Sequence, residues 1–141
     1  MAQKLLASRF DHIVLTVNDI EETTKFYERA LGFERKVFAG SDGRPRHALR
    51  FGKQKINLQD RSTDTATKAK TPTFGSGDFC FIAAGPLEQV LAHLRAENIG
   101  IIAGPVARHG ALGQMRSVYF RDPDGNLVEV SNTQASEAVN R

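Results

Sequence analysis

An α+β fold built from a repeated β-α-β-β-β unit is predicted by three features of this 141-residue chain. A pattern of strand, amphipathic helix and three further strands occurs twice. A stretch rich in Ser, Thr, Lys and Asp, residues 61–76, has no periodicity and separates the two occurrences. Turn residues punctuate the strands in both halves. At 40% hydrophobic and 25% charged residues, the chain has the composition of one ordinary globular domain.

Residues 10–17 read FDHIVLTV, a β-rich run. His12, Val14 and Thr16 share one face, and Ile13, Leu15 and Val17 form the core face. Asp19 opens a helix, with Glu22 three residues later as in a capping box. Ile20, Thr23, Phe26, Tyr27, Ala30 and Leu31 follow at helical spacing, and Gly32 supplies the stop. Strands are expected at 33–38, 46–51 and 55–59, with turns at 40–43 and 52–54.

The same order returns after the linker. Residues 78–83 form a strand with Phe79 and Phe81 on one face and Asp78, Cys80 and Ile82 on the other. Pro86 suits the first helical position, Leu87, Val90, Leu91 and Leu94 make the apolar stripe, and Asn98 and Gly100 close the helix. Strands at 101–103, 115–121 and 126–131 complete the unit. Asp122-Pro123-Asp124-Gly125 is a hairpin turn signal between the last two. The segment 108–113 reads as a connecting loop or a lid. Setting His12 on Asp78 aligns the halves and keeps both phenylalanines buried. The expected organisation is a single domain, 8–132, made of modules 8–60 and 77–132, with a frayed polar tail at 133–141.

Composition excludes several classes. No apolar run approaches the roughly 20 residues of a membrane-spanning helix. Residues 1–10 lack the apolar run and cleavage site of a secretory signal. Cys80 is the lone cysteine, which rules out an internal disulfide and fits a reducing cytoplasm. The net charge of +3 is dispersed, so a nucleic-acid partner is not expected. Arg44, Arg46, Arg50, Lys53 and Lys55 cluster loosely, as do Arg108, Arg116 and Arg121. Each group reads either as solvated surface or as a rim that attracts a small anion.

Two motifs, DHIVLTVNDIEETTKFYERALGF from Asp11 and YFRDPDGNLVEVSN from Tyr119, resemble the vicinal oxygen chelate superfamily. That superfamily includes glyoxalase I, extradiol dioxygenases, fosfomycin-resistance transferases and bleomycin-resistance proteins. The likeness covers most of the chain and is nearest to small bacterial glyoxalase-like proteins, some called virulence proteins. It implies two βαβββ modules whose curved mixed sheets surround a cleft, often completed by a partner in a homodimer. It also implies a divalent metal ion (Mn, Ni, Zn or Mg) and a small-molecule substrate.

Carried over by position, His12 matches the first metal ligand and Glu129 the glutamate on the last strand. Asp78 stands where histidine is common. Asn57 aligns with the first-module glutamate of glyoxalase I, and Gln59, two residues on, shares its face. The candidate metal set is therefore His12, Asp78 and Glu129, with Asn57 or Gln59 as a neutral fourth. A metal-free hydrogen-bonded network of the same groups is the alternative. Glu129 or Asp78 would move the proton in a lyase or isomerase of the lactoylglutathione lyase kind. Tyr119, Arg50 and Arg116 are candidates for holding substrate. A dioxygenase is disfavoured, because His47, His93 and His109 match no ligand position. Sequestration of a drug without chemistry, as in bleomycin resistance, is the competing function.

Overall fold

Alternation settles which face of the first strand turns inward. The computed structural model describes residues 3–133. In it β1 (His12–Thr16) sends Leu15 into the core, Val17 follows it there, and His12 and Val14 stay exposed. α1 (Ile20–Leu31) begins where the Asp19 side chain accepts a hydrogen bond from the Glu22 amide. It ends at Gly32, whose left-handed backbone (φ 70°) lets its amide reach the Glu28 carbonyl. β2 (Glu34–Ala39), β3 (Pro45–Phe51) and β4 (Gln54–Gln59) complete a sheet ordered β1-β4-β3-β2.

The second unit repeats this plan with β5 (Asp78–Ile82), α2 (Leu87–Ala96), β6 (Ala103–Gly110), β7 (Gly113–Arg121) and β8 (Leu127–Thr133). Its sheet is ordered β5-β8-β7-β6. In each sheet the first and last strands of the module pair in parallel and the remaining pairs are antiparallel. The fold is thus α+β with two four-stranded mixed sheets, neither closed into a barrel. His12 and Asp78 each start the first strand of a module, and Phe79 and Phe81 pack against the core.

Three expectations need correction. The short strand at 101–103 is replaced by β6, which runs from Ala103 to Gly110. Segment 108–113 is accordingly the tip of the β6–β7 hairpin: only residues 111–112 form the connecting turn, and Gly110 is paired to Gly113. AGPVARHG has little strand preference of its own, and pairing with β7 overrides it. Pro86 caps α2 from outside instead of occupying its first turn. Of the expected tail, Thr133 ends β8 and residues 134–141 lie outside the described residues.

One apolar core serves both modules. Leu15, Val17, Leu49, Ile56 and Leu58 of the first join Leu87, Leu91, Leu94, Val118, Phe120 and Val128 of the second. Phe33 stacks between Tyr27 and Phe51, and Phe81 from the second module meets Phe33 and Phe51 edge-on. Beside these rings, the fully buried Tyr27 hydroxyl of α1 donates to Asp122 Oδ2 at 2.8 Å. Asp122 also accepts from the amides of Asp124 and Asn126 and from Asn126 Nδ2. Burial first, and then the Asp122 charge, push the Tyr27 phenol far above the ordinary tyrosine range, so it stays a donor.

Tyr27→Phe keeps the ring and removes one donor from a buried carboxylate. It should lower unfolding free energy by about 1–3 kcal/mol without changing the fold. Urea unfolding followed by circular dichroism checks this, and an unchanged midpoint would refute the role given to that bond.

Candidate functional site

The outer face of the second sheet is built by strand alternation and register. Cys80 of β5 pairs with Glu129 of β8, which pairs in turn with Tyr119 of β7. One row along, Ser131 pairs with Ser117. Both serines are fully buried, and their hydroxyls lie 2.6 Å apart. Ser131 Oγ donates to Glu129 Oε2 at 3.3 Å and sits 3.2 Å from Cys80 Sγ. A buried hydroxyl needs a partner, so Glu129 stands at the end of a satisfied polar track.

Tyr119 completes that row. Arg108 Nε donates to its phenolic oxygen at 2.9 Å, and the guanidinium carbon lies 5.4 Å from the ring centroid. Burial raises the Tyr119 pKa above the usual value; Glu129 adds to the rise and Arg108 opposes it. The phenol is therefore neutral at physiological pH and able to donate. Cys80 is raised chiefly by burial as well, with the Glu129 charge contributing, so it rests as a thiol and not a nucleophile.

The matching face of the first sheet carries different groups. Val14 pairs with Asn57 as Cys80 pairs with Glu129, so Asn57 is the counterpart of Glu129 in the first module. Asn57 and Gln59 point to the same side of β4. Gln59 Nε2 is engaged by Thr16 Oγ1 at 2.8 Å, whereas Asn57 Oδ1 is buried with no hydrogen-bond partner. His12 Nδ1 lies 2.9 Å from Asp11 Oδ1. With the proton on Nδ1, that contact leaves Nε2 as the free lone pair, the arrangement metal-binding histidines commonly use.

His12 and Asp78 both border a groove of about 410 Å³ between β1 and β5, lined also by Phe51, Phe79 and Phe81. Glu129 is not in that lining. Among the described residues, no three His, Cys, Asp or Glu side chains of one chain converge as a ligand set. The donor types suit a divalent cation, with one imidazole, two carboxylates and an orphan amide oxygen, but they are divided between two faces. Arg50 shares the His12 face through the His12–Lys55–Arg50 row. Arg116 lies on the opposite side of β7 from Tyr119 and donates to Glu88 of α2 at 3.1 Å.

Ser117, Ser131 and Asp11 were not among the residues singled out from sequence, and Arg108 was read only as one of a loose group with Arg116 and Arg121, not as the partner of Tyr119. Arg108 depended on β6 extending to Gly110. The serines carried a signal that went unused: both fall on the Glu129 face of strands whose other face is apolar.

Two paired βαβββ units with an open cleft face on each sheet define a class of fold. The chain belongs to the Glyoxalase/Bleomycin resistance protein/Dioxygenase superfamily, which it matches over residues 9–130. It is 46% identical over 128 residues to Virulence protein STM3117 of Salmonella typhimurium, covering 91% of this chain and 86% of that one. Glyoxalase domain-containing protein RDO1 of Mycosarcoma maydis is 40% identical over 132 residues, 94% of this chain and 72% of that one. Among solved structures, VPC_CASS1 from the mobile metagenome of V. Pseudocholerae superposes with a TM-score of 0.87 at 45% identity, covering 94% and 99% of the two chains.

The chain has two tyrosines, and Tyr27 is fully buried. Absorbance titration of the folded protein therefore reports Tyr119 first. Its phenol should ionise above the ordinary tyrosine range, and Arg108→Ala should move it higher still, because the opposing cation is gone. A downward move would contradict the Arg108–Tyr119–Glu129 arrangement.

Proposed function

We propose that this protein is a cytoplasmic, glyoxalase-like, metal-dependent lyase or isomerase acting on a small metabolite with oxygens on adjacent carbons. The thiol adduct of an α-ketoaldehyde is the leading substrate. The observation that carries the reading is the register equivalence of Glu129 and Asn57 on two open faces. One presents a positioned carboxylate, the other an unpartnered carbonyl oxygen beside His12. In this reading a second copy completes the cleft, setting the His12 face of one protomer against the Glu129 face of its partner.

His12, Asn57 and Glu129, with Asp78 where the groove admits it, would hold the cation. When bound, a divalent cation with open positions polarises neighbouring substrate oxygens and stabilises the charge that develops on them. The remaining work falls to the chain. Glu129, oriented by Ser131 and Tyr119, takes a proton from one substrate carbon and returns it to the next. Tyr119, kept neutral, donates to a substrate oxygen. The core rings behind β5 exclude water from one wall of the groove.

A metal-free binding protein is the second reading. It is favoured by the self-sufficiency of the Glu129 track, which needs no cation to satisfy Ser117 and Ser131.

Metal analysis of untagged protein separates the two. The lyase reading expects about one divalent ion per chain, lost in His12→Ala and in Glu129→Gln, with the fold retained. Mixing these two variants under exchange conditions should restore about a quarter of wild-type sites if the cleft is shared, since half the dimers are mixed and each has one intact site. Full metal binding by both variants would overturn the assignment.

A further inference from the structure

The His12 face has a second feature that the metal reading does not use. β2, β3 and β4 form a hollow of about 410 Å³ lined by Lys36, Arg50, Lys53 and Lys55 together with Phe38 and Ala48. It adjoins the candidate site, because Lys55 is paired with His12 and Ala48 with Asn57. Two carboxylates lie at its margin, and both are engaged. Asp11 is hydrogen-bonded to His12 at 2.9 Å, and Glu34 is bridged to Lys36 at 2.9 Å. Among the described residues, Arg50, Lys53 and Lys55 make no ion pair. Lys55 Nζ is instead held 4.3 Å over the Phe38 ring.

Four cations against two engaged carboxylates leave the hollow with an excess of two positive charges. We propose that this hollow binds a dianionic phosphoryl group, so that the short oxygenated chain of the substrate, whether or not it is a thiol adduct, carries a phosphate monoester at its far end. A single carboxylate would leave one of those charges uncompensated, whereas a phosphoryl group brings two charges and three terminal acceptor oxygens. Arg50 supplies a planar donor fork and Lys53 and Lys55 supply point charges. Adjacent strands lie about 4.8 Å apart, so Arg50 on β3 is roughly 10 Å from His12 two strands away. The long Arg50 side chain closes part of that distance, and the phosphate monoester of a short carbon chain closes the rest with its vicinal oxygens at the His12 end. The substrate role rests on the proposed lyase reading; the anion site itself does not.

The test uses the full-length protein and inorganic phosphate, glycerol phosphate and acetate as separate probes, followed by amide chemical shifts at constant ionic strength. Phosphate and glycerol phosphate should give saturable shifts centred on residues 36, 50, 53 and 55. The double variant Arg50→Gln/Lys53→Gln should weaken both at least tenfold, and acetate should bind at least tenfold more weakly than phosphate. Glu129→Gln should leave phosphate binding intact, so loss of the lyase reading and loss of this one are told apart. Shifts spread evenly over distant cations such as Arg61 and Lys68, unchanged affinity in the double variant, or acetate binding equal to phosphate would each overturn the proposal.

Discussion

Asp122 is the constraint on which the arrangement of both modules depends. It sits in the turn between the last two strands of the second module, yet one of its donors is a tyrosine from the helix of the first. A buried carboxylate is tolerated only when its oxygens are well supplied with donors. Here the turn's own amides, Asn126 Nδ2 and the Tyr27 hydroxyl provide them. Because the supply comes from both modules, the carboxylate is satisfied only when the modules are docked. The apolar contacts of Phe26, Phe33 and Phe81 gain area from the same docking but fix no particular angle. Directional bonds among the non-directional ones fix the placement: Tyr27 to Asp122 in the interior, and nearer the surface the Asn18 amide to Asp124 and Arg29 to the Glu97 carbonyl.

Docking by the helix-side faces has a consequence for function. It leaves the other face of each sheet uncovered, as the exposure of Val14 (53%) and Ile82 (55%) shows. Those two faces are alike in backbone and unlike in chemistry. Register places Asn57 opposite Val14 and Glu129 opposite Cys80, so the two modules share these backbone positions and differ in the side chains they carry there. One face is rich in Lys and Arg, and the other carries Glu129 in a polar track. A cleft made from one of each combines a cationic floor with a positioned carboxylate, which neither face offers alone.

Much of the fold was legible because its signals are local. The capping of α1 by Asp19, the stop at Gly32, and the burial of Leu15 and Val17 follow from propensity and period. The repeat could be aligned from its phenylalanines alone. β6 was not legible, because Gly104, Pro105 and His109 argue against a strand and only the partner β7 compels one. The same gap hid Arg108 from Tyr119, although the two are in contact.

By itself the sequence determined the family, the order of elements apart from the place of β6, and the faces of β1 and β5 on which His12 and Asp78 stand, since each depends on neighbours within a few residues. Tertiary structure alone decided which side chains meet. Arg116 and Arg50 are both strand arginines, but one is spent on Glu88 and the other left on an open cationic hollow. Asn57 and Gln59 are both amides on one side of β4, but only Gln59 finds a partner. Pairing of that kind is set by strands far apart in the chain, and a strand's own sequence holds no record of the neighbour it will be given.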